Sequence, residues 1–258
     1  MKGKVFIGTS GFAYPHWKGI FYPENLSQKD WFLYYAKRFD IVELNVSFYR
    51  LPQKEAFTNW RKKADTVHPP AGSFVFAIKG WRWITHIKKL QNCEAELKNF
   101  FIAVNEVNSS ISNSKYQIAN IILWQLPPSL KFDLLRLKNF CKMLPNDWRY
   151  AFEFRHESWR NPKTWEILRK YKMAVVFQDY PGWPIFKEIT ADFVYLRFHG
   201  RTSLYASCYT EKELKDWAEK IKNWTKNGLT VYAYFNNDAM GYAVGNAKKL
   251  LELTKERE

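Results

Sequence analysis

Eight short segments rich in β-branched and aromatic residues recur along the whole chain: KVFIGTSG (4–11), IVELNVSF (41–48), FVFAIKG (74–80), ANIILWQL (119–126), YAFEFR (150–155), AVVFQD (174–179), FVYLRFHG (193–200) and TVYAYFN (230–236). Helical patterns lie between most of them. Thr210 with Glu213 makes a capping-box pattern ahead of LKDWAEKIKNW, and Gly228 follows its end. Ser27 is placed to cap QKDWFLYYAKRF, and Pro162 opens PKTWEILRKY, where a missing amide hydrogen costs nothing. Strands alternating with helices imply a parallel α/β sheet, and eight units are the number that closes a (β/α)8 TIM barrel. The 258 residues suit one such unit, and no repeat or linker divides them, so residues 1–258 read as a single domain. An open doubly wound sheet is the competing architecture. The irregular part is the link from the sixth strand to the seventh, YPGWPIFKEITA, whose Pro181, Gly182 and Pro184 leave no room for a full helix.

In a barrel, alternate strand residues face the interior and the others pack under the helices. Assigning the apolar set outward leaves a polar set inside: Glu43, Asn45 and Ser47 in the second segment and Lys79 at the end of the third. Glu153 and Arg155 follow in the fifth, Tyr195, Arg197 and His199 in the seventh, and Tyr232, Tyr234 and Asn236 in the eighth. Gln125 and Asp179 fit the rule less cleanly. The charges cluster at the carboxyl ends of the strands, the face where barrels of this kind build their sites. Buried charges cost several kcal/mol each unless paired, so these groups are expected to form hydrogen-bonded pairs.

Hydrophobic residues make up 47% of the chain, which is ample material for a core and excludes a disordered protein. Cys93, Cys141 and Cys208 are odd in number and far apart, which argues against a disulfide framework and a zinc knuckle. With no cleavable leader pattern and no run of about 20 apolar residues, a cytoplasmic protein without a membrane partner is expected. The formal net charge of +15 favours polyanions or phosphorylated metabolites as partners. The basic clusters Arg61-Lys62-Lys63, Lys88-Lys89 and Lys248-Lys249 fall on helical patterns, where solvated outer faces are the simpler reading.

Ordered motifs from end to end resemble the YecE-like proteins, classed as domain of unknown function seventy-two: GTSGFAYPHWKGIFYP (8–23), ELNVSFYRLP (43–52), FAIKGWRWITH (76–86), LWQLPPS (123–129), FEFRHESW (152–159), YLRFHG (195–200) and FNNDAMGYAVGNA (235–247). The resemblance implies a TIM barrel and leaves the reaction open, because fold does not fix chemistry.

The residues themselves point to an anion pocket. Lys79, Arg155 and Arg197 bring three cationic donors to one face, with Asn45, Gln125, Asn236 and Asn237 as neutral binding groups. The loops HGRTS (199–203) and NNDAMGYAVGNA (236–247) follow the seventh and eighth strands, where this fold often holds phosphate. Acid–base chemistry, hydrolysis or isomerisation of a small phosphorylated or otherwise anionic substrate, would use Glu153 or Asp179 as base and His199 as acid. His86 and His156 read as structural donors. No cofactor is predicted. A divalent metal held by Glu43, Glu153, Asp179 and His199, as in a phosphoesterase resembling abasic-site endonucleases, is a competing enzyme reading that the neighbouring cations oppose. A third reading is a non-catalytic nucleic-acid binder with an aromatic rim of Phe12, Tyr14, Trp17, Trp81, Trp83, Trp159 and Trp183 beside Lys18, Arg82 and Arg160. Nothing in the sequence sets an oligomeric state.

Overall fold

The computed structural model describes residues 2–51, 54–67, 74–108 and 120–255. Its eight strands are β1 (Val5–Ser10), β2 (Ile41–Leu44), β3 (Val75–Lys79), β4 (Asn120–Gln125), β5 (Arg149–Glu153), β6 (Ala174–Asp179), β7 (Phe193–Phe198) and β8 (Thr230–Phe235). They run parallel and in chain order around a closed barrel. The ring closes where β1 pairs with β8, from Val5 opposite Val231 to Thr9 opposite Phe235. The protein is therefore a (β/α)8 TIM barrel and not an open sheet. Of the fourth segment, Ala119 lies outside the described residues.

The helices are α1 (Trp31–Ala36), the single turn α2 (Val46–Tyr49), α3 (Lys54–Asp65), α4 (Glu94–Asn108), α5 (Leu134–Met143), α6 (Pro162–Lys170), α7 (Glu211–Lys226) and α8 (Tyr242–Thr254). In α7 both arms of the Thr210–Glu213 capping box form. Its buried residues, Leu214, Trp217, Ala218, Ile221 and Thr225, recur at the three-to-four spacing that puts one stripe on the barrel. Pro162 opens α6 behind Asn161, whose side chain accepts from the Lys163 amide at 2.9 Å. Ser27 behaves differently: it precedes a 3-10 turn at Gln28–Asp30, and its side chain makes no capping bond. No helix forms between β6 and β7, as the prolines require.

Two apolar layers result. Outward residues such as Val42, Phe76, Trp124, Phe152, Leu196 and Phe235 pack with the helices. Inward residues such as Ile41, Ala77, Leu123, Ala151 and Val176 fill the barrel. At the amino end the interior is plugged by Phe6 stacked on Tyr232, centroids 5.4 Å apart, with Phe193 edge-on to the same ring. Apolar filling at one end confines the charges to the other. One basic cluster departs from its expected place: Arg61 is buried against the fold, while Lys62 beside it is exposed.

Two local differences from the period-two expectation affect the site. The second segment stops being a strand at Leu44, because Asn45 adopts a helical backbone (φ −92°, ψ −15°) and the chain turns into α2. Ser47 then lies buried on that turn and donates to the Lys79 carbonyl at 2.6 Å. In β6 the interior position belongs to Gln178, which donates to the Phe154 carbonyl at 2.6 Å. Asp179 points the other way, where its carboxylate accepts from Trp217 Nε1 of α7 at 3.1 Å.

Candidate active site

Arg197, on β7 and 1% exposed, is the hub of the carboxyl end. Its Nη1 donates to Glu153 Oε2 and its Nη2 to Glu43 Oε1, each at 2.6 Å. Three strands that do not pair with one another, β2, β5 and β7, thus contribute to one ion cluster across the barrel mouth. Glu43 also accepts from Tyr195 Oη at 2.7 Å and from Ser10 Oγ, and Asn45 Nδ2 donates to that Ser10 oxygen at 2.9 Å. Arg155 lies one residue past Phe154, so its side chain turns back inward and binds Glu153 through Nε. Burial alone would raise the Glu153 carboxyl, but Arg155 and Arg197 hold it well below the usual carboxylate range.

His199 is fully buried at the end of this row. Arg155 Nη2 donates to its Nε2 at 3.3 Å, and the Asn236 amide meets Nδ1 at 3.2 Å. A neutral ring that accepts from a guanidinium at Nε2 carries its one proton on Nδ1, where the Asn236 amide then presents its oxygen as acceptor. Burial, reinforced by Arg197, pushes its pKa well below the ordinary histidine value, so the ring is neutral. It is built to accept from Arg155 rather than to release a proton from Nε2.

Lys79 is the cation of a different kind. Its Nζ lies 4.1 Å from the centroid of the Phe48 ring and forms no hydrogen bond or ion pair among the described residues. Burial, then the nearby Arg197, lowers its pKa to about 7, with Glu153 and Glu43 opposing. The backbone fixes its direction: Ser47 holds the Lys79 carbonyl, and the next amide, of Gly80, donates to the Leu123 carbonyl at 2.8 Å. Gly80 has no alternative, since a Cβ there would lie 2.2 Å from the Trp124 ring.

Above this floor opens a cleft of about 700 Å³ whose lining includes Tyr14, Asn45, Tyr49, Lys79, Arg197, Tyr205, Asn236 and Asp238. Asp238 is a member that the sequence reading missed. Its Oδ1 accepts from Trp17 Nε1 at 2.6 Å, and its Oδ2 lies 3.1 Å from His16 Nε2. Burial raises this carboxyl above its usual value. His16 and Asp238 are 222 positions apart and meet only because β1 and β8 are neighbours in a closed ring. Closure of the barrel was the signal that could have joined them.

The structure therefore brings together Lys79, Glu153, Arg155, Arg197, His199, Asn45 and Asn236 from the expected set. Gln125 sits on β4 opposite Glu153 of β5 and is partly exposed. Asp179 is excluded by its outward direction. Asn237 is buried and ties loops together, donating to the Ser207 carbonyl at 2.9 Å and to Asn246 Oδ1 at 2.8 Å. The quartet of Glu43, Glu153, Asp179 and His199 does not converge: Asp179 is on the far side of its strand, and both glutamates are bound by Arg197. Among the described residues no group of three or more His, Cys, Asp or Glu is arranged to hold a metal ion.

The expected aromatic rim is also rearranged. Trp17 and Trp159 are fully buried, the latter donating to the Leu130 carbonyl at 2.7 Å. Trp83 is exposed as expected, Phe12, Tyr14, Trp81 and Trp183 are partly exposed, and Tyr49 and Tyr205 are exposed rings outside the expected set. Trp83 stacks on Trp81 with centroids 6.3 Å apart, and Arg82 between them is exposed. His156 caps the 3-10 turn Glu157–Trp159 by accepting from the Ser158 amide, and His86 pairs with Thr85, both structural roles. No helix among the described residues is long and apolar enough to cross a membrane.

The same architecture occurs in known proteins. A DUF72 family protein from Thermotoga maritima superposes with a TM-score of 0.83 at 30% identity, covering 98% of this chain and 100% of that one. A DUF72 family protein from Enterococcus faecalis V583 gives 0.79 at 19% identity over 98% and 96%, which speaks to the fold alone. The UPF0759 protein YunF of Bacillus subtilis is 25% identical over 96% of this chain and 94% of its own length. The UPF0759 protein YecE of Escherichia coli K12 is 26% identical over 59% of this chain and 48% of its own. Residues 6–258 match the family described as "Protein of unknown function DUF72", and the chain belongs to that family.

Proposed function

We propose that this chain is an enzyme for small anionic substrates, phosphorylated or carboxylated, and that it works by acid–base chemistry in the cleft at the carboxyl end of the barrel. The observation that carries the reading is Lys79, an ammonium on a buried floor beside Arg197 with no acidic partner of its own. Arg155 and Arg197 are already matched to Glu43 and Glu153, so the group left to answer a ligand's charge is Lys79. Asn45 and Asn236 line the same cleft and orient a ligand by hydrogen bonds. The proton-transfer role passes from Glu153 and His199 to Lys79, because Glu153 is fixed by two guanidiniums and His199 is held neutral. A lysine that titrates near neutrality is matched to both giving and taking a proton.

The test is a thermal-shift series at near-physiological salt with inorganic phosphate, sugar phosphates and small carboxylates, on the unaltered chain and on Lys79→Met. A ligand at about 100 times its Kd adds about 2.7 kcal/mol of stability, a shift of several degrees at this size. The reading requires at least one small anion to shift the unaltered chain and to lose that effect in Lys79→Met. A flat response to every small anion refutes it.

A nucleic-acid-binding role is the second reading, favoured by the exposed Trp83 stacked on Trp81 beside Arg82. Base stacking on such a pair would be worth about 1–3 kcal/mol per base. Oligonucleotide shifts that collapse between about 50 and 200 mM salt, with no small-anion response, select this reading.

A further inference from the structure

We propose that Lys79 is also a nucleophile, forming a Schiff base with a small carbonyl compound that carries a carboxylate or phosphate group. The inference rests on the small-anion reading of the cleft and names the kind of substrate it takes. Lys79 is the lysine among the described residues lining that cleft, and its Nζ has an aromatic face on one side and no ion pair. Lysines elsewhere are engaged differently: Lys88 pairs with Glu96 at 2.7 Å and Lys215 with Glu211 at 2.9 Å.

An amine becomes nucleophilic when it is unprotonated, aimed and sheltered from a counter-ion, and the site meets each condition. The two carboxylates nearest the floor are bound by Arg197 and Arg155, so neither holds the ammonium. Ser47 and the Leu123 carbonyl hold the peptide unit between Lys79 and Gly80, which fixes where the lysine side chain starts. Burial beside Arg197 brings its titration to about pH 7, so a large share is free amine at neutrality.

The step balances without any oxidant. The Nζ lone pair forms the C–N bond as the carbonyl π pair moves to oxygen. An amine proton passes to that oxygen to give a carbinolamine. The oxygen takes a second proton, drawn from solvent through the open cleft, and leaves as water, giving a protonated imine. The positive charge then sits where the ammonium's charge sat, which Glu153 and Glu43 already favour. The imine withdraws electrons from the neighbouring C–H or C–C bond. The Asp238 carboxylate lines the same cleft and takes the released proton in this scheme.

The experiment incubates the full chain with pyruvate, dihydroxyacetone phosphate or glyceraldehyde 3-phosphate and sodium cyanoborohydride, followed by intact mass and peptide mapping. The expected result is an adduct on Lys79 with at least one probe, its rate rising with pH through about 7. In Lys79→Met and Lys79→Arg, each checked for an intact melting transition, adduct formation should fall by about tenfold or more, to the background of surface lysines. Peptide mapping of the unaltered chain gives the site even if a variant does not fold. No adduct with any probe, or label spread over surface lysines with Lys79 unmodified, overturns the proposal. The thermal-shift series with inorganic phosphate, sugar phosphates and small carboxylates then separates the two claims: if at least one anion still shifts the unaltered chain and not Lys79→Met, only the Schiff base falls; if none shifts the unaltered chain, or each that does shifts Lys79→Met equally, the anion site falls as well.

Discussion

Removing Arg197 tests whether the mouth of the barrel is built on one guanidinium. In Arg197→Met the side chain keeps its approximate length, but Glu43 and Glu153, both fully buried, lose contacts of 2.6 Å each. Breaking a buried pair by deleting one partner costs about 3–5 kcal/mol, because the other charge is left uncompensated. At this size about 2–4 °C is lost per kcal/mol, so the midpoint should fall by about 6–20 °C. The pH dependence supplies an independent sign. In the unaltered chain Glu153 has a depressed carboxyl pKa, so its contribution is present above the unfolded value and is lost as pH falls. In the variant Arg155 still meets Glu153, but Glu43 keeps only the Ser10 and Tyr195 hydroxyls, so one buried negative charge is left uncompensated and acidification toward pH 5 should recover part of the lost stability. Differential scanning calorimetry between pH 5 and 8 measures both effects. A loss below about 1 kcal/mol, with the same pH slope in both proteins, would refute the claim that Arg197 organises the cluster.

Lys79 has a folded pKa near 7 against an unfolded value of 10.5, so between those limits the unfolded state holds a proton that the folded state has released, and stability rises with pH. Lys79→Met should raise the midpoint at pH 7 and flatten that rise, as seen in melts across pH 7–10. Gly80→Ala forces a methyl against the Trp124 ring and should cost about 1–3 kcal/mol in denaturant titrations followed by tryptophan fluorescence. Thr210→Ala breaks the capping box of α7 and should cost about 1 kcal/mol in the same assay. Cys208 is exposed, whereas Cys93 and Cys141 are buried with thiols pushed up to about 11 and about 12. A thiol reagent at pH 8 should therefore label Cys208 rapidly and the other two only after denaturation.

The barrel was legible because its strands must be apolar on the face under the helices, and segments such as YAFEFR and FVYLRFHG state that alternation without ambiguity. NVSF was not legible in the same way. Its residues alternate as a strand would, and the turn at Asn45 is set by the fit of Ser47 over the end of β3, a contact between segments that no local pattern encodes. AVVFQD failed for a different reason. Val175, Val176 and Phe177 are all apolar, so parity is undefined until β6 is paired, and Gln178 rather than Asp179 then takes the inner position. The Asp238–His16–Trp17 cluster needed closure of the ring, which a list of strands implies but does not place.

The same comparison changes which charges matter. Read along the sequence, Glu153, Arg155 and Arg197 look like reactive groups because they are charged and point inward. Read in space, they neutralise one another: each carboxylate is met by at least one guanidinium, and each guanidinium by a carboxylate. Such a network fixes positions and resists titration, which is the opposite of what proton transfer near neutrality requires. What it does supply is a rigid, desolvated floor beside which a lone ammonium is costly to keep charged. Lys79 bears that cost, through burial first and Arg197 second. Two substitutions in this floor should act on Lys79 in opposite directions. Arg197→Met should alter stability first and, by removing a neighbouring positive charge, raise the Lys79 pKa, so that any activity profile centred near pH 7 moves alkaline. Glu153→Gln should move it the other way, because it deletes a charge that favours the ammonium. If pH–rate profiles of the two folded variants shift in the same direction, the floor is not tuning Lys79.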